Sequence, residues 1–318
     1  MTAPQNLWAV TCLFNPQGYR QRMNNYRVFR ARLGAPLLAV ELSFDGRFAL
    51  GPADADILVR LTGGDVMWQK ERLLNIGVSQ LPAECDAVAM LDADVVLATP
   101  DWPARALRAL RDHAVAHLFS RAVLLGPGAA PEPASEPRAI GTRASVVAGL
   151  NGGASAEACL ADPDITGPDK FTPGFAWAYR RALLERHGLY EACVIGGGDT
   201  AMIAAATGHF AAAERRHAMT PAQRQFYRAW AEPCAATVAG RVGVLDGTLY
   251  HQWHGTLENR RAGQRHVDLA ALGFDPAADL KGEPGRPWRW AGDRPELRTL
   301  LADYFAGRRE DDHAASGP

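Results

Sequence analysis

The sequence predicts an α/β protein: a mostly parallel, doubly wound sheet with helices on both faces, folded as one domain. Three observations carry that expectation. Short apolar runs alternate with longer amphipathic ones, the pattern of strand–helix units. The length of 318 residues suits one large α/β core. An apolar run ends in Asp92-Ala93-Asp94, at the kind of strand end where such sheets bind ligands.

The elements follow in order. Leu7–Phe14 reads as a buried first strand, broken by Asn15-Pro16-Gln17-Gly18. Tyr19, Met23, Tyr26, Phe29 and Leu33 recur at helical spacing. Residues 36–44 and 57–61 read as the second and third strands. Residues 66–78 form an amphipathic helix, and 86–91 the strand that delivers the two aspartates. Residues 102–113 read as a helix and 114–119 as a strand. Residues 126–141, rich in Pro, Ala and Gly, read as a flexible loop, with an ordered lid the alternative. Residues 175–180 predict a strand and 181–187 a short helix. Asp199 opens a helix after three glycines. Residues 221–239 are helical but interrupted at Pro233. Residues 241–245 and 248–253 read as a hairpin around Asp246-Gly247. Residues 295–308 read as a final helix, and 309–318 as a fraying tail.

Composition narrows the function. Apolar residues make up 47% and charged residues 22%, with a net charge of −1. No global charge draws the chain to nucleic acid or to an anionic membrane. No apolar run reaches membrane-spanning length, and the N-terminus shows no basic-then-apolar leader. The five cysteines are widely scattered and form no Cys-x-x-Cys pair. Reduced, buried thiols and a cytoplasmic setting are expected.

Chemistry concentrates in a few motifs. In extended chain, positions i and i+2 point the same way, so Asp92 and Asp94 can aim at one point. Carboxylates leaving a buried strand need a partner, and oxygen ligands suit Mg²⁺ or Mn²⁺ completed by substrate phosphates. A histidine can complete the shell. His254, at the start of the Gly255 turn, is preferred, with His251 the alternative. Asp199 follows Gly196-Gly197-Gly198, which permits close approach of a ligand to backbone. A carboxylate there can take the proton of an attacking hydroxyl, although Gly-Asp is also an ordinary helix start. Gln69, Lys70 and Glu71 lie on a helix before Asn75, and Lys70 or Arg72 could reach phosphates or ribose. Arg22, Arg27 and Arg30 read as solvated, with Arg20 nearer the first loop. Asp65 follows Gly63-Gly64 at another ligand-end turn. Trp177 and Trp253 are core aromatics or sugar-stacking rings. His187, His209 and His266 read as structural.

The unit ERLLNIGVSQLPAECDAVAMLDADV resembles the nucleotide-sugar half of glycosyltransferases with the GT-A fold. In family 2 members a helix ending in Asn-x-Gly, here Asn75-Ile76-Gly77, precedes the strand and the Asp-x-Asp. Pro173–Ala178, followed by Gly196–Thr200, is similar to the acceptor segment of inverting enzymes of this fold. His251–Gly255 with Asn259-Arg260 is similar to the late histidine segment of manganese-dependent galactosyltransferases. One departure stands out: the acidic pair after the glycine turn is a single acid here. The resemblance implies a donor half over about 1–120 and an acceptor half over about 143–265. It implies an inverting, Mn²⁺- or Mg²⁺-dependent sugar transfer from a UDP-sugar to a glycan, lipid-linked or small-molecule hydroxyl. Asp92, Asp94 and His254 would hold metal. Asn15, Arg20, Asp65, Lys70, Asn75, Asp92 and Ala93 would hold the donor. Trp177, Gly197, Gly198 and Asp199 would face the sugar or acceptor, with Asp199 as base. A metal-dependent nucleotidyltransferase and a non-catalytic binding protein are the alternatives.

Overall fold

The computed structural model describes residues 3–167 and 169–312. The chain runs β1 (Leu7–Phe14), α1 (Arg20–Arg32), β2 (Leu37–Leu42), β3 (Ile57–Leu61), α2 (Lys70–Val78), β4 (Ala87–Leu91), β5 (Val95–Leu97), α3 (Trp102–Ala109), β6 (Val115–His117) and β7 (Arg121–Leu125). It continues through β8 (Ala139–Ser145), α4 (Val146–Asn151), β9 (Phe171–Thr172), β10 (Ala176–Arg180), α5 (Arg181–His187), α6 (Gly198–Ala206), α7 (Phe210–Arg216) and α8 (Pro221–Val238). It ends with β11 (Val242–Val244), β12 (Thr248–His251), α9 (Gln264–Ala271), α10 (Pro276–Asp279), β13 (Leu280–Lys281), β14 (Arg289–Trp290) and α11 (Pro295–Gly307).

The large sheet has the order β11-β6-β10-β4-β1-β2-β3. Its pairings are parallel except at β10, which runs antiparallel to both neighbours. Alternate strand residues feed two cores, one on each face. Leu7, Ala9 and Leu13 of β1 pack with Tyr26 and Phe29 of α1 and Trp102 of α3. Val10 and Phe14 of the same strand pack with Leu73 and Leu74 of α2. Strand order reverses between β1 and β4, so their carboxyl ends frame a crevice. Asp92 and Asp94 leave β4 into it. Among the described residues, no helix is long and apolar enough to cross a membrane.

A second sheet, β5-β12-β7-β8-β9, was not foreseen, and it corrects two expectations. Residues 241–245 and 248–253 do not form a hairpin: β11 pairs with β6 in the large sheet, whereas β12 pairs with β5 and β7 in the second. The Asp246-Gly247 turn is held by Ser120, whose hydroxyl donates to Asp246 Oδ1 at 2.8 Å. The turn therefore hands the chain from one sheet to the other. Nor are residues 126–141 a free loop. A 3₁₀ turn spans Pro133–Arg138, Glu136 pairs with Arg121 at 2.9 Å, and β8 begins at Ala139 against β7. The helix α8 runs unbroken through Pro233. The lost hydrogen bond is outweighed by burial of Tyr227, Ala231, Cys234 and Val238 along one side.

The expected fraying of 309–318 also fails for its first residues. Glu310 is 1% exposed and pairs with Arg22 and Arg308. Asp311 accepts from the backbone N–H groups of Arg20 and Gln21 at the start of α1, where a carboxylate is favoured. Residues 313–318 lie outside the described residues.

Candidate active site

A cavity of about 250 Å³ opens at the carboxyl ends of β1 and β4. Its floor is a charge cluster drawn from distant parts of the chain. Lys70 begins α2, whose entry is fixed by Gln69: that side chain donates to Asp65 O and Trp288 O and accepts from Trp288 N–H. The Lys70 ammonium lies 2.6 Å from Asp92 Oδ1 and 3.0 Å from Asp199 Oδ2. Burial alone would lower the Lys70 pKa, but Asp199 and Asp92 overcome it and hold it well above normal. Burial raises Asp199 above the usual carboxylate range, with Lys70 opposing.

Asp199 is the second residue of α6, and its side chain does not cap the helix. The three-glycine approach is explained by what surrounds it. Gly196 and Gly197 take φ of +87° and +96°, which favour glycine. A Cβ on Gly198 would lie 2.2 Å from Glu71 Oε1. Glu71 itself is buried, which pushes its carboxyl up to about 8.

Asp94 faces two histidines. Its Oδ2 is 3.2 Å from His254 Nε2 and 3.9 Å from His251 Nε2, and the two Nε2 atoms are 3.0 Å apart. The segments are tied by the backbone, where Gln252 N–H donates to Asp94 O at 2.8 Å. Phe175 stacks on His251 with ring centroids 4.4 Å apart, from a backbone φ of +80°. Such a φ is strained for a bulky side chain. Asp92 N–H donates to Phe175 O at 2.9 Å and holds that turn.

These three side chains fit a divalent cation. Burial, then Asp92, raises Asp94 to about 7, and its Oδ1 is buried without a hydrogen-bond partner. Burial and the neighbouring arginines keep both imidazoles neutral, the ligating form. His254 is also ill-matched to its protein partners alone. Arg260 lies 2.8 Å from its Nε2 and Arg308 3.2 Å from its Nδ1, yet a neutral ring accepts at only one nitrogen. Glu310 Oε1 lies 4.0 Å from the same Nδ1, behind Arg308. Nitrogen ligands favour Mn²⁺ or another transition ion over Mg²⁺.

The carboxyl-terminal strap closes this side. Arg22 grips Glu310 with two bonds of 2.6 and 2.8 Å. Arg308 pairs with the same carboxylate and lies over Trp68. Burial would raise Glu310, but Arg308 and Arg22 overcome it and hold it at about 2.

No protein-family model matches the sequence, and no curated protein matches it. Solved structures with low similarity exist. Residues 1–349 of S. aureus TarS match at 11% identity and a TM-score of 0.36, over 95% of this chain and 71% of that one. Glucosyl-3-phosphoglycerate synthase from Mycobacterium tuberculosis, in complex with Mn²⁺, UDP and phosphoglyceric acid, matches at 12% identity and a TM-score of 0.41, over 93% and 91%. The catalytic domain of Drosophila β1,4-galactosyltransferase 7 with xylobiose matches at 11% and 0.30, over 76% and 65%.

The structure gathers some expected residues and disperses others. Asp92, Ala93, Asp94, Lys70, Gly197, Asp199 and His254 line the cavity, with His251 beside them. Asp92 faces Lys70 rather than the histidines. Asn15 and Arg20 border an adjoining cleft of about 870 Å³ that shares Leu13 and Phe14 with the cavity. The Asn15 side chain closes its own turn on Tyr19, and Arg20 is fully in solvent. Four expectations are corrected. Asp65 pairs with Arg298 and Trp290 N–H, away from the cavity. Asn75 clasps loop backbone instead: it donates to the C=O and accepts from the N–H of Leu189. Trp177 stacks on His117 at 3.9 Å inside the sheet core. Gly198 packs on Glu71 rather than on the cavity.

Sequence reasoning missed Arg143, Arg216, Arg265, Arg308, Glu310 and His217, and gave Arg260 only as part of the late histidine segment; all of them line the cavity. The spacing of two residues between His251 and His254 was a readable signal for a shared ligand point. Arg143, Arg216, Arg265 and Arg308 carried none, because they stand on four separate segments.

Proposed function

We propose that this protein is a metal-dependent glycosyltransferase that moves a sugar from a nucleotide-diphosphate donor, a UDP-sugar, to a hydroxyl acceptor with inversion. The observation that carries the reading is the convergence of Asp94, His251 and His254 on one point, beside an Asp199 tied to the same crevice through Lys70. Asp94, His251 and His254 would hold Mn²⁺, which when bound neutralises the charge of a departing diphosphate. Asp199 takes the proton of the acceptor hydroxyl as its oxygen bonds the anomeric carbon. The bond from that carbon to the donor phosphate breaks, and the nucleoside diphosphate leaves with its electron pair. Burial makes Asp199 more basic than a solvated carboxylate, as a general base requires. Lys70 fixes its orientation. The cleft bordered by Asn15 and Arg20 is open enough for the nucleoside. The five free thiols fit a reducing, cytoplasmic setting.

The test is a panel of nucleotide sugars, with and without Mn²⁺, read by release of nucleoside diphosphate. One donor turned over only with metal supports the reading. Release of pyrophosphate from a nucleoside triphosphate would favour a nucleotidyltransferase instead.

A further inference from the structure

Beyond the metal and base positions, the cavity holds positive charge that the proposed chemistry does not use. Arg143 on β8, Arg216 at the end of α7 and Arg265 on α9 all line it. Their hydrogen-bond acceptors are neutral. Arg143 donates to Ile165 O, Arg216 to Leu160 O and Asp162 O, and Arg265 to Arg260 O and Tyr304 Oη. None of the three makes an ion pair among the described residues. The Arg265 Nε is buried without a partner. The charges are close enough to repel: burial, then Arg265, with Arg143 adding and Asp162 opposing, lowers Arg216 to about 10. Unpaired guanidinium groups out of water are costly, so this arrangement suits a ligand that brings the missing negative charge.

Histidines complete the enclosure. His217 and His266 stack with centroids 4.2 Å apart. His217 is 4% exposed, lines the cavity, and has no partner for Nε2. A Cβ on Gly197 would lie 2.7 Å from that nitrogen, and one on Gly196 would lie 3.4 Å from Arg265. Arg265 and His217 therefore flank the glycine turn that leads directly into Asp199, and Arg143 and Arg216 line the same cavity.

We propose that Arg143, Arg216, Arg265 and His217 form an anion subsite that holds a phosphate or carboxylate group of the acceptor while its hydroxyl meets Asp199. This rests on the glycosyltransferase reading of the same cavity and names its acceptor class: a small hydroxylated anion rather than a neutral sugar. Guanidinium forks match both oxyanions bidentately, so the two sources share one chemistry.

The experiment is calorimetry on the full chain in low-salt buffer. The probes are inorganic phosphate, glycerol phosphate, glycerate and uncharged glycerol, with UDP plus Mn²⁺ titrated separately. An anion is expected to bind where glycerol does not, and the stronger of glycerol phosphate and glycerate identifies the group. Arg216→Gln and Arg265→Gln should each weaken that anion at least tenfold and leave UDP–Mn²⁺ affinity within about twofold. Arg216→Lys, which keeps the charge, should recover part of the loss, and circular dichroism confirms that each variant is folded. Equal anion binding by wild type and both folded variants overturns the proposal. So does a matching loss of UDP–Mn²⁺ affinity, which would assign the arginines to the donor. If UDP–Mn²⁺ binds wild type and no anion probe does, the subsite falls and the enzyme reading stands. If neither binds, both fall.

Discussion

The two ends of the cavity are built on opposite charge logic. At the metal and base end, Lys70, Arg22 and Arg308 each face a carboxylate. At the other end, Arg143, Arg216 and Arg265 face carbonyls and a phenol. Lys70, Arg22 and Arg308 are held by their carboxylates without a ligand, because each of these buried cations has its partner in the protein. An unbalanced end is completed only by a ligand. The difference separates residues that maintain the machinery from residues that select what enters it.

Breaking the balanced end should have the largest effects. Asp199→Asn removes the proton acceptor and is expected to lower turnover by about 10²–10⁴-fold, with donor binding retained; a kcat against KM comparison checks it. Glu310→Gln leaves Arg22 and Arg308 buried around an uncharged amide. Losing one partner of a buried pair costs about 3–5 kcal/mol, measurable by urea unfolding.

Changes at the unbalanced end should cost much less. Arg216→Gln is expected to alter stability by no more than about 1 kcal/mol in anion-free buffer, since a lost net hydrogen bond of about that size is offset by relief of repulsion with Arg265. A loss as large as that for Glu310→Gln would erase the contrast. The smallest effect is a pH slope. The folded state holds a proton on Glu71 up to about pH 8, against about 4.5 for an ordinary glutamate. Between those values the folded state binds the extra proton, so stability contributed by neutral Glu71 is lost as pH rises through that window. Glu71→Gln should flatten the stability curve there. An unchanged curve would mean that Glu71 is ionised in the fold.

The same contrast explains what the sequence reveals. The units from β1 to β4 are local: apolar runs and helical spacing sit in contiguous residues. The Asp-x-Asp is legible as a pair but its geometry is not: the two aspartates leave the strand in a turn, Asp92 toward Lys70 and Asp94 toward the histidines. Ile57–Leu61 and Arg181–His187 are found where the pattern puts them. The second sheet is not legible. Its strands β5, β9 and β12 are short, and β12 bonds to β5 and β7, which lie far upstream. Asp246-Gly247 has the composition of a hairpin turn, but Ser120 fixes it across 126 residues. Lys70 was visible as a helix-face cation, not as the bridge between Asp92 and Asp199. Glu310 looked like part of a polar tail, because its two arginine partners are invisible to local composition. Trp177 and Asn75 show the converse error: residues placed at the site by motif are consumed by packing and by a loop clasp.

The central claim is that Asp94, His251 and His254 bind one metal that in turn holds a nucleoside diphosphate. It is tested most directly by titrating UDP into wild type, Asp94→Ala and His251→Ala, each with and without Mn²⁺. The account predicts binding to wild type only with Mn²⁺, and its loss in both variants while they stay folded. UDP binding that is equal with and without Mn²⁺, or that survives both substitutions, would contradict it.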